Sequence, residues 1–168
     1  MKVILYMAIS LDGFVAKTGG DSDWVSDVDT PVFEQKIKEF GCIILGHNTF
    51  KQFHSELYPI KGVTNIVISK SSEIKNEEGV FFVKSPEEAV NLAESKNFEQ
   101  VLLIGGGHIN GSFIKEGLID EIFIDVHPFI FGKGIKIFEG FEGDVKLELL
   151  ESKNLDKGQI LLYYKVLK

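Results

Sequence analysis

Val101-Leu102-Leu103-Ile104-Gly105-Gly106-Gly107-His108-Ile109 is the stretch that decides the fold class. Four apolar residues in a row read as a strand buried on both faces. Three glycines then admit a tight turn, and Phe113, Ile114 and Leu118 resume at helical spacing beyond it. A strand, a glycine turn and a helix start bring unblocked backbone N–H groups to one point, where the helix dipole favours negative charge. The segment therefore predicts a phosphate or pyrophosphate site built from Ile104, Gly105, Gly106, Gly107, His108 and Ile109. A tight turn that binds nothing is the competing reading. The dinucleotide fingerprint is incomplete. Gly105 and Gly107 fit its first two glycines, but Asn110 stands at the third, and Asp125 falls where a ribose-binding acid would.

Outward from this turn, strands and helices alternate. Residues 3–8 form a continuous apolar run, Ser10-Leu11-Asp12-Gly13 is turn chemistry, and Phe14-Val15-Ala16 is apolar again. Pro31 opens a helix in which Phe33, Ile37 and Phe40 share a face, and Gly41 stops it. Residues 42–45, 65–69, 80–83 and 121–126 read as further strands. Ser85-Pro86-Glu87-Glu88 has the cap, first-turn proline and acidic residues of a helix start. Residues 147–150 and 160–166 flank a polar segment and predict an antiparallel hairpin. The expected fold is one α/β domain over residues 1–168. It has a mainly parallel central sheet, flanking helices and a C-terminal antiparallel hairpin.

Bulk composition narrows the function. A chain of 168 residues supports one domain, and its net charge of −7 argues against nucleic acid as a partner. No apolar run is long enough for a membrane span, and a lone cysteine, Cys42, fits a reducing, cytoplasmic setting. All 18 basic residues are lysine, so any phosphate is held by Lys, His, hydroxyls or backbone N–H groups rather than by a guanidinium. The four histidines lack metal-ligand spacing with Cys or Glu, and no metal is expected. His54 reads as a surface residue and His127 as a structural hydrogen-bonding group. Leu- and Tyr-rich C-terminal segments suggest a homodimer surface.

Two more strand ends carry phosphate-friendly groups, at Gly46-His47-Asn48-Thr49-Phe50 and at Ser69-Lys70-Ser71-Ser72. Ligands of open α/β sheets gather at such ends, and three of them suit one extended dinucleotide.

Gly46-His47-Asn48-Thr49-Phe50, residues 65–69 and Ile104-Gly105-Gly106-Gly107, in this order, resemble dihydrofolate reductases. Ser10-Leu11-Asp12-Gly13-Phe14-Val15-Ala16, with His127-Pro128-Phe129-Ile130-Phe131-Gly132-Lys133-Gly134, is closer to the reductase domain of the bacterial bifunctional riboflavin-biosynthesis deaminase-reductase. The resemblance implies hydride transfer from NADPH, with NADH the other candidate, to a small pyrimidine- or pterin-like substrate. The activity implied is that of a 5-amino-6-(5-phosphoribosylamino)uracil reductase. It places the nicotinamide amide against the backbone of Ala8 and Val15, and the pyrophosphate on Gly106, Gly107 and the helix starting at His47-Thr49. The adenosine 2′-phosphate falls near His47, Asn48, Ser69 and Lys70.

Trp24, Asp29 and Phe33 have the spacing that folate reductases use around the pterin, with Asp27 a rival acid and an N-cap-region role the alternative for Asp29. Asp29 and Asp12 are the expected catalytic or polar substrate contacts, Asp12 because it ends the first strand within the cleft. The resemblance departs in two places. Val63 stands where folate reductases carry the arginine for the glutamate tail, and the chain lacks the deaminase's zinc-binding set. Dihydrofolate reductase, a non-catalytic nucleotide-binding protein of the same fold, and a dehydrogenase with NADH preference set by Asp125 are the alternatives.

Overall fold

The computed structural model describes residues 1–28, 30–71 and 77–168. Its sheet has eight strands: β1 (Lys2–Ser10), β3 (Cys42–Gly46), β4 (Thr64–Ile68), β5 (Val80–Val83), β6 (Gln100–Leu103), β7 (Glu121–His127), β9 (Lys146–Asn154) and β10 (Ile160–Leu167). They lie in the order β5-β4-β3-β6-β1-β7-β10-β9. The first six positions are parallel. β10 runs antiparallel to both β7 and β9, so the expected hairpin closes one edge. A second, two-stranded sheet pairs β2 (Phe14–Ala16) with β8 (Ile135–Lys136) over the end of β1, and β8 had no sequence signal.

The uninterrupted apolar strands are explained by two-sided burial. One core joins Val3, Leu5, Ile44 and Leu103 to Ala89 and Ala93 of α3 (Pro86–Ser95) and Phe113 and Ile114 of α4 (Gly107–Lys115). The other joins Ile4, Tyr6, Ile43, Leu45 and Leu102 to Ile37 and Phe40 of α1 (Thr30–Phe40) and Phe50 of α2 (His47–Gln52). Even and odd positions of β1 and β6 thus feed different layers, as strand alternation requires. α3 starts as expected: the Ser85 hydroxyl accepts the Glu88 N–H at 3.1 Å, and Pro86 occupies the first turn.

At the edge, every residue of β9 is exposed, including Leu147, Leu149 and Leu150. Among the described residues no helix is long and apolar enough to cross a membrane.

Candidate active site

Parallel pairing of β1, β3, β4 and β6 brings their carboxyl ends to one side of the molecule, where they open into a cleft of about 940 Å³. The volume lies at the upper end of the usual range for ligand sites. Met7 and Ala8 of β1 form the floor, with Gly46, Ile68 and Ile104 at the other strand ends. His47, Asn48 and Thr49 contribute from α2, Ser69 and Lys70 follow β4, and Gly106, Gly107, His108 and Ile109 open α4. Val15 and Ala16 of β2 and residues Asp21–Asp23 and Val25 make the opposite lip.

Backbone bonds hold the two helix starts together. The Ile104 N–H donates to the Ile44 carbonyl at 2.9 Å, and the Gly46 N–H to the Gly105 carbonyl at 2.8 Å. α4 begins at an N-cap glycine, Gly106, which offers no side-chain acceptor to the first-turn N–H groups. Those groups are the intrinsic donors of a helix N-terminus and suit an anion.

The glycines have internal causes as well. Gly105 has φ of +92°, in the left-handed region, and a Cβ there would press on the Met7 sulfur. A Cβ on Gly107 would collide with the Lys136 carbonyl, and one on Gly46 with Ile109. Gly106 has no positive φ and faces only the Thr49 hydroxyl, at 3.1 Å. The triple glycine is therefore required at two of its three positions, by φ at Gly105 and by packing at Gly107, independent of any ligand. Gly111, one turn after Gly107, meets the Glu139 carbonyl in the same way, so the pair admits the backbone of residues 136–139 against α4. That close approach replaces the missing third fingerprint glycine. Asn110 in that place is fully buried and donates to the Ile137 carbonyl at 3.0 Å.

At the β4 end, Ser69 Oγ lies 3.0 Å from His47 Nδ1 and accepts the Ser71 N–H at 3.2 Å. In the tautomer in which the serine donates to Nδ1, the imidazole carries its hydrogen on Nε2 as a donor to the cleft that Lys70 also lines. This cluster of hydroxyl, imidazole and ammonium suits a phosphate without a guanidinium.

The expected cofactor residues come together almost completely: all except Gly105 line the cleft. The expected substrate residues scatter. Asp12 is not on the cleft wall. Its carboxylate accepts from Ser10 Oγ at 2.7 Å, the Gly132 N–H at 2.7 Å and the Phe131 N–H at 3.1 Å, which ties the β1–β2 turn to residues 131–132. The Ser10 hydroxyl foremost, then the Gly132 and Phe131 amides, hold its carboxyl below the ordinary carboxylate range. Asp12 lies two residues beyond the end of β1, in the turn, which aims the side chain away from the cleft. Phe33 packs on Tyr6 with ring centres 5.1 Å apart and belongs to the α1-side core. Trp24 is buried edge-on against His127 and Phe131, while its neighbours Asp23 and Val25 line the cleft. Asp29 lies outside the described residues. Asp27 is at the surface, 3.6 Å from Lys157.

Asp125 is buried on β7 with Oδ2 at 2.7 Å from His127 Nε2, and β7 lies on the far side of β1 from the glycine turn, so Asp125 is not on the cleft wall where the dehydrogenase reading required it. His127 thus has the structural hydrogen bond expected of it. The sequence signal for this pair was the polar interruption of an apolar strand at alternate residues, Asp125 and His127. Gln52, Phe53, Leu57 and Tyr58, which complete the cleft wall, had no motif to announce them.

A parallel α/β sheet with an antiparallel closing strand and a ligand cleft at the carboxyl ends of β1, β3, β4 and β6 is the dihydrofolate reductase-like architecture. Residues 1–161 match the RibD C-terminal domain, and the chain belongs to that family. The chain is similar to an uncharacterized protein, YwjB, of Bacillus subtilis, with 28% identity over 96% of this chain and 97% of that one. It superposes on a putative riboflavin biosynthesis protein from Shewanella with a TM-score of 0.85 at 26% identity, covering all of both chains. It also superposes on a dihydrofolate reductase from Enterococcus faecalis, solved with NADP(H), with a TM-score of 0.74 at 20% identity, over 99% of this chain and 97% of that one.

Proposed function

We propose that this chain is an NADPH-dependent reductase that delivers hydride to a small pyrimidine- or pterin-like ring, as a 5-amino-6-(5-phosphoribosylamino)uracil reductase does. The observation that carries the reading is the single cleft in which an α4 N-terminus and the His47–Ser69–Lys70 cluster stand at separate points along one wall. A dinucleotide needs two such anion sites, one for its pyrophosphate and one for its 2′-phosphate. Membership of the RibD C-terminal domain family and the NADP(H) bound by the similar Enterococcus protein support the same cofactor.

The N–H groups of Gly106, Gly107 and His108 would hold the pyrophosphate, with Thr49 beside them. His47 Nε2 and Lys70 would hold the 2′-phosphate, and the backbone of Ala8 and Val15 would orient the nicotinamide end. When bound, NADPH supplies the hydride. The protein's part is to position two rings and exclude water between Ala8, Ile104 and the lip at residues 21–25. A dihydrofolate substrate is disfavoured, because the chain has no arginine for a glutamate tail. The exposed leucines of the β9 edge support a homodimer and a cytoplasmic setting is in keeping with the free Cys42, both as parts of this proposal.

Titration with NADPH and NADH, followed by nicotinamide fluorescence, tests the cofactor. Substrate-dependent oxidation of the bound NADPH in the presence of aminopyrimidines then tests the reaction. Saturable NADPH binding with turnover supports a reductase. Binding without turnover of any aminopyrimidine leaves a nucleotide-binding protein, and no binding of either nucleotide overturns the reading.

A further inference from the structure

Behind the lip of the cleft lies a closed polar cluster that the cofactor reading does not use. Trp24 Nε1, Asp125 Oδ1, His127 Nδ1 and Gln159 Oε1 are each buried and without a hydrogen-bond partner among the described residues. They belong to one neighbourhood. Asp125 and His127 share the 2.7 Å bond, Trp24 packs on the His127 ring at 5.1 Å, and β10 begins beside Gln159 by pairing Ile160 with Val126. Gln159 in turn donates to Ser26 Oγ, two residues beyond Trp24. Leaving one buried polar atom unpaired costs about 1–3 kcal/mol, and native interiors keep few of them. Four in one neighbourhood call for a partner.

The register locates that partner. Asp125 pairs with Ala8 and His127 with Ser10 in the parallel β1–β7 ladder, and paired residues project to the same side of a sheet. Ala8 lines the cleft, so the carboxylate stands one strand away from the cleft floor, on the α1 side. The donor inventory selects the chemistry. Trp24 can only donate, Asp125 and Gln159 oxygens can only accept, and His127 Nδ1 can do either. A phosphate has nothing to give the two acceptors, and a metal ion has nothing to accept from the indole. A heterocycle edge that alternates N–H donors with a carbonyl or ring nitrogen answers all of them.

We propose that Asp125, seconded by His127 and Trp24, is the group that recognises the amino-substituted ring edge of the substrate. This deepens the reductase reading by assigning its substrate contact, and it transfers the role expected of Asp12 or Asp29 to strand β7. Trp24 is the cover. Its neighbours Asp23 and Val25 line the cleft, and its segment is tied by the Gln52 amide donating to the Gly20 carbonyl, the Lys17–Asp23 ion pair and the Gln159–Ser26 bond. In this proposal Trp24 moves aside to join the cluster to the cleft.

Trp24 is the only tryptophan, so its emission reports on this site alone. The experiment titrates the full chain with diaminopyrimidine, and with a dimethylpyrimidine that keeps the ring but lacks the N–H donors. It is repeated for Asp125→Asn and Asp29→Asn, with a parallel NADPH titration of each protein. The expected result is a saturable change in Trp24 emission with diaminopyrimidine only. Asp125→Asn should weaken it roughly ten- to a hundredfold, and Asp29→Asn should leave it unchanged. Equal binding of both pyrimidines, equal affinity in Asp125→Asn, loss in Asp29→Asn alone, or no response at all overturns the assignment. NADPH binding without a diaminopyrimidine response condemns this site and spares the cofactor reading, and the reverse pattern does the opposite. If Asp125→Asn does not fold, the indole N–H resonance of Trp24 in the unaltered protein decides. Movement on adding diaminopyrimidine supports the site, and a fixed resonance overturns it.

Discussion

Gly107 lies so close beneath the carbonyl oxygen of Lys136 that no side-chain carbon fits between them. Its neighbour Gly106 faces only the Thr49 hydroxyl, at 3.1 Å from where a Cβ would stand, and has an extended backbone that any residue adopts. The two adjacent glycines therefore serve different ends. One closes the packing of residues 135–139 on α4, and the other keeps the cleft wall low.

Alanine should separate them. Gly107→Ala is expected to cost about 1–3 kcal/mol of stability, the range of overpacking in a tight interior, seen as a lower urea midpoint. Gly106→Ala should leave the midpoint within about 0.5 kcal/mol of the parent yet weaken NADPH binding about tenfold or more. Matching losses of stability in both variants would count against a cofactor role for Gly106.

Lys70, exposed beside the His47–Ser69 pair, should discriminate between the two nicotinamide cofactors. Lys70→Ala is expected to raise the NADPH Kd about three- to tenfold and leave NADH unaffected, with the difference shrinking as salt is added. An equal effect on both nucleotides would place the lysine elsewhere than on the 2′-phosphate.

Asp12 should show as a pH-dependent anchor. Its folded-state carboxyl is held below the ordinary value of 3.8, chiefly by the Ser10 hydroxyl. A depressed carboxylate contributes stability that is fully present above its unfolded value and is lost as pH falls through the lower, folded value. Asp12→Ala should therefore lower the thermal midpoint at neutral pH, and the gap from the parent should close progressively below about pH 4. Thermal melts of both proteins across that range check the sign, and a gap that widens with acid would refute it.

Cys42 offers a test of burial. The thiol is fully enclosed on β3 and burial pushes it up to about 12, with Lys96 opposing only weakly. In the native protein it should not react with a disulfide reagent at neutral pH, and it should react fully once urea unfolds the chain. Fast native labelling would show that β3 opens readily.

Asn65 is fully buried in β4. Its side chain accepts the Ile60 N–H at 2.9 Å and donates to the Ile60 and Val63 carbonyls at 2.9 and 3.0 Å. Asn65→Ala strands these groups and is expected to cost about 2–4 kcal/mol, measured by urea unfolding. A loss under 1 kcal/mol would mean that water replaces the amide easily.

The sequence by itself determined the layers and the strand-end wall of the cleft. Apolar runs such as residues 42–45 and 101–104 can be satisfied only by burial on both faces, and strand–glycine–helix junctions place N–H donors at strand ends wherever they occur. Those are local properties of period and backbone, readable one segment at a time, and they survived folding nearly unchanged. Strand pairing and side-chain direction are not local. Asp12 looked like a cleft residue until the turn aimed it at the amides of Phe131 and Gly132, more than a hundred positions along the chain. Gly107 is held to glycine by the Lys136 carbonyl, a contact that no local motif announces, and Asp125 looked like a ribose contact until β7 settled on the far side of β1 from the glycine turn. Each of those outcomes depends on which distant segment packs against the residue. Only the tertiary structure decides that, because the hydrogen bonds and steric contacts involved do not exist until the sheet is assembled.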